Sequence, residues 1–206
     1  MVYVLAISIL VVVLVFWAMQ ARSLSSAPAR PRGTPPVLVG IDVETTGLNP
    51  GTGRIVRIAV IRMSPRTNEG RVAYSESARL VGFVNPEHRM GGTKIHHITG
   101  EAVKDAPVFS ALASKLRELM DGAVVVGHNV DFDLGFLRAS FARAGIAFPR
   151  IEGAYCTLAN ARRKLRLRDY KLSTCCAALD IPYSPHEAES DATAALLLAG
   201  RLTTMA

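Results

Sequence analysis

The sequence predicts an α/β domain, a mixed β-sheet flanked by helices and preceded by one N-terminal transmembrane helix. Three observations predict it: an apolar run at residues 2–19, β-branched runs soon after it, and helical periodicity alternating with a buried strand further on. A length of 206 residues with 50% hydrophobic and 20% charged positions excludes a collagen-like, repeat-array or wholly disordered chain. One globular domain with a short extension fits that length.

Residues 2–19 (VYVLAISILVVVLVFWAM) carry no charged side chain. At about 1.5 Å each they span roughly 27 Å, close to the thickness of a hydrocarbon core. Tyr3 lies near one end and Phe16 and Trp17 near the other, where amphipathic rings favour the membrane interface. A cleaved secretory signal is the competing reading. It wants a basic leading region and a small-x-small cleavage site, and only the terminal amine precedes this run, so an uncleaved anchor over residues 1–19 is expected. Arg22, Arg30 and Arg32 follow, with no acid among residues 1–36, which places the C-terminal bulk in the cytoplasm. Residues 20–36 are rich in Ser, Ala and Pro and read as a flexible tether, whose arginines fix orientation or touch anionic headgroups. The three cysteines, Cys156, Cys175 and Cys176, form no CxxC pair, so neither a disulfide framework nor a zinc site is expected. Of the net charge of +7, three belong to the arginines after the run, which leaves about +4 on the rest of the chain, mildly basic and naming no partner class.

From residue 37 to 206 a single domain is expected. Residues 37–43, 54–63 and 79–84 read as strands of an antiparallel meander, the first two joined by the Gly/Asn/Pro turn GLNPGTG. Residues 109–120 carry Leu112, Leu116 and Leu119 at helical spacing; Gly122 breaks the helix before a buried strand at 123–126. Further helices are expected at 132–144, 157–167 and 172–179, with a long Ala/Leu helix reaching Leu202.

Three acidic motifs carry the chemistry. In Asp42-Val43-Glu44-Thr45-Thr46-Gly47, alternation along a strand puts both carboxylates on one face. Packed side by side they repel unless cations lie between them, and oxygen ligands suit Mg²⁺ or Mn²⁺. Alone, such a pair is more often solvated loop chemistry. The Thr45 and Thr46 hydroxyls and the Gly47 backbone are candidates to meet a phosphate or sugar. The second motif, His128-Asn129-Val130-Asp131-Phe132-Asp133, follows a buried strand at the start of a helix, where ligands collect in open α/β sheets. Asp131 reads as a helix cap and Asp133, one turn in, as a carboxylate facing the strand ends. The third is His186-Glu187-Ala188-Glu189-Ser190-Asp191. A capping box would start its helix at Pro185, but five helical residues would leave His186 and Asp191 about 140° apart. His186 is therefore expected on a loop, with the helix beginning after it.

DVETTG, HNVDFDLGFL and HEAESDA, in this order, resemble the three motifs of the DEDDh family of 3′→5′ exonucleases, to which the proofreading subunit of bacterial DNA polymerase III is similar. Cys156-Thr157-Leu158, Lys171-Leu172 and Ile95-His96-His97-Ile98-Thr99 are smaller echoes; Cys156 departs from the Asp often found there. The resemblance implies an RNase H-like fold, two Mg²⁺ or Mn²⁺ ions, and a nucleic acid with a free 3′ end as substrate. It makes Asp42, Glu44, Asp133 and Asp191 the metal ligands and His186 the base that takes the proton of the attacking water. Asp42 would bridge the ions, with Glu44 and Asp191 on the one that binds water and Asp133 on the other. His128, Asn129 and Phe132 join Thr45, Thr46 and Gly47 as substrate-binding candidates, although Phe132 and Phe136 also fit core spacing. The cations among residues 162–171 read as a solvated face, a phosphate track or a lipid contact. No polymerase domain or docking tail is evident, so an autonomous enzyme is expected, with a polymerase partner left open. The competing reading is a catalytically silent, membrane-tethered nucleic-acid scaffold.

Overall fold

Val39, Ile41 and Val43 point to one side of the first strand and Gly40, Asp42 and Glu44 to the other, and this alternation organises the domain. The computed structural model describes residues 34–69, 71–185 and 187–205. The chain divides into two units, Met1–Thr34 and Pro35–Ala206. The predicted anchor over residues 1–19, the tether as far as residue 33, and His186 lie outside the described residues. Among the described residues no helix is long and apolar enough to cross a membrane.

The second unit holds a mixed sheet of five strands: β1 (Val37–Thr45), β2 (Ile55–Asn68), β3 (Arg71–Phe83), β4 (Ala123–Gly127) and β5 (Gly153–Cys156), in the order β3-β2-β1-β4-β5. β2 runs antiparallel to both β1 and β3, as the meander predicted, and β4 joins β1 in parallel with Val126 beside Gly40. Helices α1 (Thr93–His96), α2 (Gly100–Val103) and α3 (Phe109–Met120) precede β4, and α4 (Val130–Arg143) follows it. After β5 come α5 (Thr157–Lys164), α6 (Leu172–Ala178) and α7 (Ala188–Thr204).

One face of the sheet buries Val39, Ile41 and Val43 against Leu116 and Leu119 of α3 and Phe136, Leu137 and Phe141 of α4. The other packs Ala59, Ile61 and Val126 against Ala188, Ala192, Ala195 and Ala199 of α7. The far side of α7 is closed by Ala161, Leu172, Cys175 and Cys176, the last two being free, buried thiols. A domain with a core of this kind has what independent folding needs. The alanine stripe lets α7 lie close to β1. A Cβ on Gly40 would come within 2.6 Å of Leu196 Cδ1 and 2.9 Å of the Ala192 carbonyl.

Several elements differ from their predicted bounds. β2 continues through Pro65, which pairs with Tyr74 only past Leu38↔Met63, the last β1–β2 pair; its missing N–H therefore faces no strand there. β5 lacks β-branched residues and was not foreseen. α5 ends at Lys164, three residues short of the predicted end, where Leu165 turns extended. α4 is entered not through an Asp131 cap but through Asn129 in the left-handed region (φ 70°), a conformation Asn tolerates. α7 starts at Ala188, after His186, so the capping box at Pro185 does not form.

Gly40→Ala is expected to push α7 off β1 and destabilise the domain by about 1–3 kcal/mol. A thermal melt reads this as a loss of roughly 2–4 °C per kcal/mol.

Candidate active site

Asp42 and Glu44 share the α7 side of β1, and α7 delivers Asp191 from its first turn. One ligand oxygen from each of these three residues lies within 4.8 Å of the others. Asp133 arrives from α4. β4 ends at Gly127, so the Val43 N–H beyond it has no strand partner, and it donates instead to Asp133 Oδ1 (3.0 Å). The i, i+2 and helix-start expectations thus bring four carboxyl groups from β1, α4 and α7 to the C-terminal end of β1.

Their charges are poorly accommodated. Asp42 Oδ2 is buried with no hydrogen-bond partner among the described residues. Burial first, then the charges of Asp133, Asp191 and Glu44, holds the Asp42 carboxyl well above the usual carboxylate range; Arg57 offsets this in part. Burial pushes Asp133 up to about 8, although the Val43 N–H acts the other way. The Tyr183 hydroxyl bonds to Asp191, and burial followed by that bond raises it far above an ordinary phenol. Such crowding calls for cations. The all-oxygen donor set and the orphaned Asp42 Oδ2 fit a hard divalent ion, and Mg²⁺ or Mn²⁺ suits those ligands.

The predicted substrate contacts divide. The Thr45 hydroxyl donates to the Gly47 carbonyl (2.7 Å), and Thr46 Oγ1 accepts from the Arg54 N–H (2.9 Å). Both threonines therefore shape the turn after β1. His128 is engaged at both nitrogens, with Nδ1 2.9 Å from Thr157 Oγ1 and Nε2 2.8 Å from the Tyr170 carbonyl. The carbonyl can only accept, so Nε2 donates to it, and burial holds the ring's pKa down. It ties α5 and the segment before α6 to the end of β4, with both nitrogens engaged. Asn129 is exposed.

Phe136 is core, whereas Phe132, 5.0 Å from it, borders a cavity. That cavity, about 410 Å³, adjoins Glu44 and is lined by Thr45, Gly47, Leu48, Ile95 and Phe132. Leu48 and Ile95 are 81% and 62% exposed, unusual for large apolar side chains beside carboxylates. Neither received a role from the sequence, nor did Tyr183. The α1 loop is pressed on the turn: a Cβ on Gly91 would fall 2.2 Å from the Thr46 carbonyl. His96 holds it, with Nε2 donating to the Gly91 carbonyl (3.1 Å) and Nδ1 accepting from the Ile98 N–H (3.0 Å).

Residues 39–199 match the family model described as exonuclease, of the RNase T type. The chain belongs to the exonuclease family. This exonuclease domain is 32% identical over 165 residues to the DNA polymerase III subunit epsilon of Rickettsia felis, covering 77% of this chain and 69% of that one. It is 30% identical over 158 residues to the 3′-5′ exonuclease DinG of Bacillus subtilis, covering 75% of this chain and 16% of that protein. Its fold is that of E. coli exonuclease I in complex with a dT13 oligonucleotide, with a TM-score of 0.68 at 21% identity, over 83% of this chain and 42% of that one. The exonuclease domain thus spans less than half of exonuclease I and a small part of DinG.

The raised carboxyls give a sign to the pH dependence. Between about pH 4 and about pH 8 the folded state holds a proton on Asp133 that the unfolded chain has released. Stability without divalent metal should therefore fall as pH rises through that window. Asp133→Asn keeps an oxygen for the Val43 N–H and removes the charge. In EDTA at pH 8 its melting temperature is expected above that of the unsubstituted protein, with a flatter pH slope; equal slopes would refute the assignment.

Proposed function

We propose that this chain is a metal-dependent 3′→5′ exonuclease that hydrolyses phosphodiester bonds of DNA or RNA and releases nucleoside 5′-monophosphates from the 3′ end. The observation that carries it is the Asp42, Glu44 and Asp191 cluster with Asp133 beside it, in a chain of the exonuclease family. Two divalent cations bound there would activate water, neutralise the phosphodiester charge and stabilise the departing 3′-oxygen. Asp42, Glu44 and Asp191, with Asp133 beside them, would hold the ions. Asp133 is held in place by the Val43 N–H, and Tyr183 restrains Asp191. Phe132, Leu48 and Ile95 offer apolar surface to the terminal base, and the turn at the half-buried Gly47 offers backbone to its sugar or phosphate.

His186 would take the proton of the attacking water, for which a pKa near neutrality suits it. Its support is positional: it precedes α7, the helix that carries Asp191, by two residues. The silent-scaffold reading is disfavoured because every acidic position of the motifs is filled.

On 5′-labelled single-stranded DNA and RNA, residues 35–206 are expected to give a ladder shortening from the 3′ end with Mn²⁺ or Mg²⁺ and none with EDTA. His186→Ala should lower kcat by about 10²–10⁴-fold while leaving metal binding intact. A metal-dependent digestion unaffected by His186→Ala would remove the base from the mechanism, and no digestion of either polymer would remove the activity.

We further propose that residues 1–19 tether the domain to the cytoplasmic face of a membrane, on the strength of the uncharged run and the arginines that follow it. The full chain should then resist alkaline extraction from membranes, and its domain should be digested by protease only in inverted vesicles. Release by alkali would contradict the tether.

A further inference from the structure

Residues 162–171 hold six cations and one acid, Asp169. All six cations are exposed, and two of them have structural work. Lys164 donates from Nζ to the Leu202 and Met205 carbonyls (both 2.8 Å), where a positive charge suits the C-terminal end of α7. Arg168 lies 3.6 Å from Asp169. Arg162, Arg163 and Arg166 have no carboxylate within ion-pair reach among the described residues. With Leu165, Leu167 and Tyr170 they line an open concavity of about 520 Å³. Three like charges gathered around one hollow repel one another, and a polyanion relieves that repulsion.

The rim of the hollow is tied to the end of β4, next to the strand that carries Asp42 and Glu44. The Tyr170 carbonyl accepts from His128 Nε2, and the β1–β4 register, with Val126 beside Gly40, carries His128 level with Asp42. From there the strip runs back along α7 to Lys164 at Leu202, eleven residues beyond Asp191, or roughly 16 Å of helix. A strand whose 3′ end lay among the carboxylates would find cations and an aromatic ring along this edge, the pairing that sequence-tolerant single-strand sites use. A lipid surface would press on a flat or convex face, and the arginines surround a concave one.

We infer that Arg162, Arg163 and Arg166, with Tyr170, form a second nucleic-acid contact that holds the backbone of a single strand upstream of its 3′ end. This rests on the proposed exonuclease activity and names how that site grips long substrates.

The test compares residues 35–206 with the triple variant Arg162→Gln, Arg163→Gln, Arg166→Gln, all exposed positions where folding tolerates change. Binding of a labelled long oligonucleotide and of a trinucleotide is followed by anisotropy in EDTA over a salt series, and cleavage of both is followed with Mn²⁺. The variant should bind the long strand about ten-fold or more weakly, with a salt slope smaller by about 2. Its kcat and KM on the trinucleotide should be unchanged. Unaltered long-strand affinity and slope would overturn the inference. So would a variant that loses binding only to phosphatidylglycerol vesicles, which would make the strip a lipid contact. Loss of long-strand binding in the variant, with neither protein cleaving anything, would support the contact and sink the exonuclease activity instead.

Discussion

At the C-terminal end of β1, Asp42 and Glu44 face the same way, Asp191 meets them from α7, and Asp133 closes in from α4. Water is largely excluded from Asp42 and Asp133, and Arg57 offsets only part of the repulsion around Asp42. Burying like charges together is among the costliest arrangements a fold can hold, and proton uptake or a bound cation relieves it. Sites of this kind trade stability for function, since a carboxylate cage relaxed enough to be stable alone would bind divalent ions poorly.

The surrounding structure makes that crowding possible. The missing Cβ of Gly40 and the alanine stripe of α7 set the distance at which Asp191 approaches β1. β4 stops at Gly127, and that early end frees the Val43 N–H for Asp133. The turn after β1 is fastened through Thr45, Thr46 and Arg54, and the Gly91 and His96 loop lies against it. The Thr45 and Thr46 hydroxyls, which in sequence are candidates to meet a phosphate or sugar, here fix the backbone on which the carboxylates stand.

Much of this was legible in the sequence because its signals are local. Alternation placed Asp42 and Glu44 on one face, helical spacing marked α3 and the long α7, and the roughly 140° that one helix would put between His186 and Asp191 argued for a helix that begins after His186, as α7 does. What escaped depends on neighbours distant in the chain. β5 has no β-branched residue and exists because β4 offers it an open edge. The predicted second strand ended at residue 63, yet β2 continues through Pro65, which is tolerated because β1 has already ended. His128 sits in the same motif as Asp133, but Thr157 and Tyr170 occupy its nitrogens. Tyr183, Leu48 and Ile95 carry no periodic or motif signal, so only the folded surface shows that they flank the carboxylates.

A calorimetric titration of Mn²⁺ into residues 35–206, repeated with Asp42→Asn, decides whether the carboxylate repulsion is a metal cage. Two ions should bind per domain, with proton release below about pH 8 as Asp133 ionises, and Asp42→Asn should abolish binding of at least one. Heat of dilution alone, or binding that Asp42→Asn leaves unchanged, would contradict it.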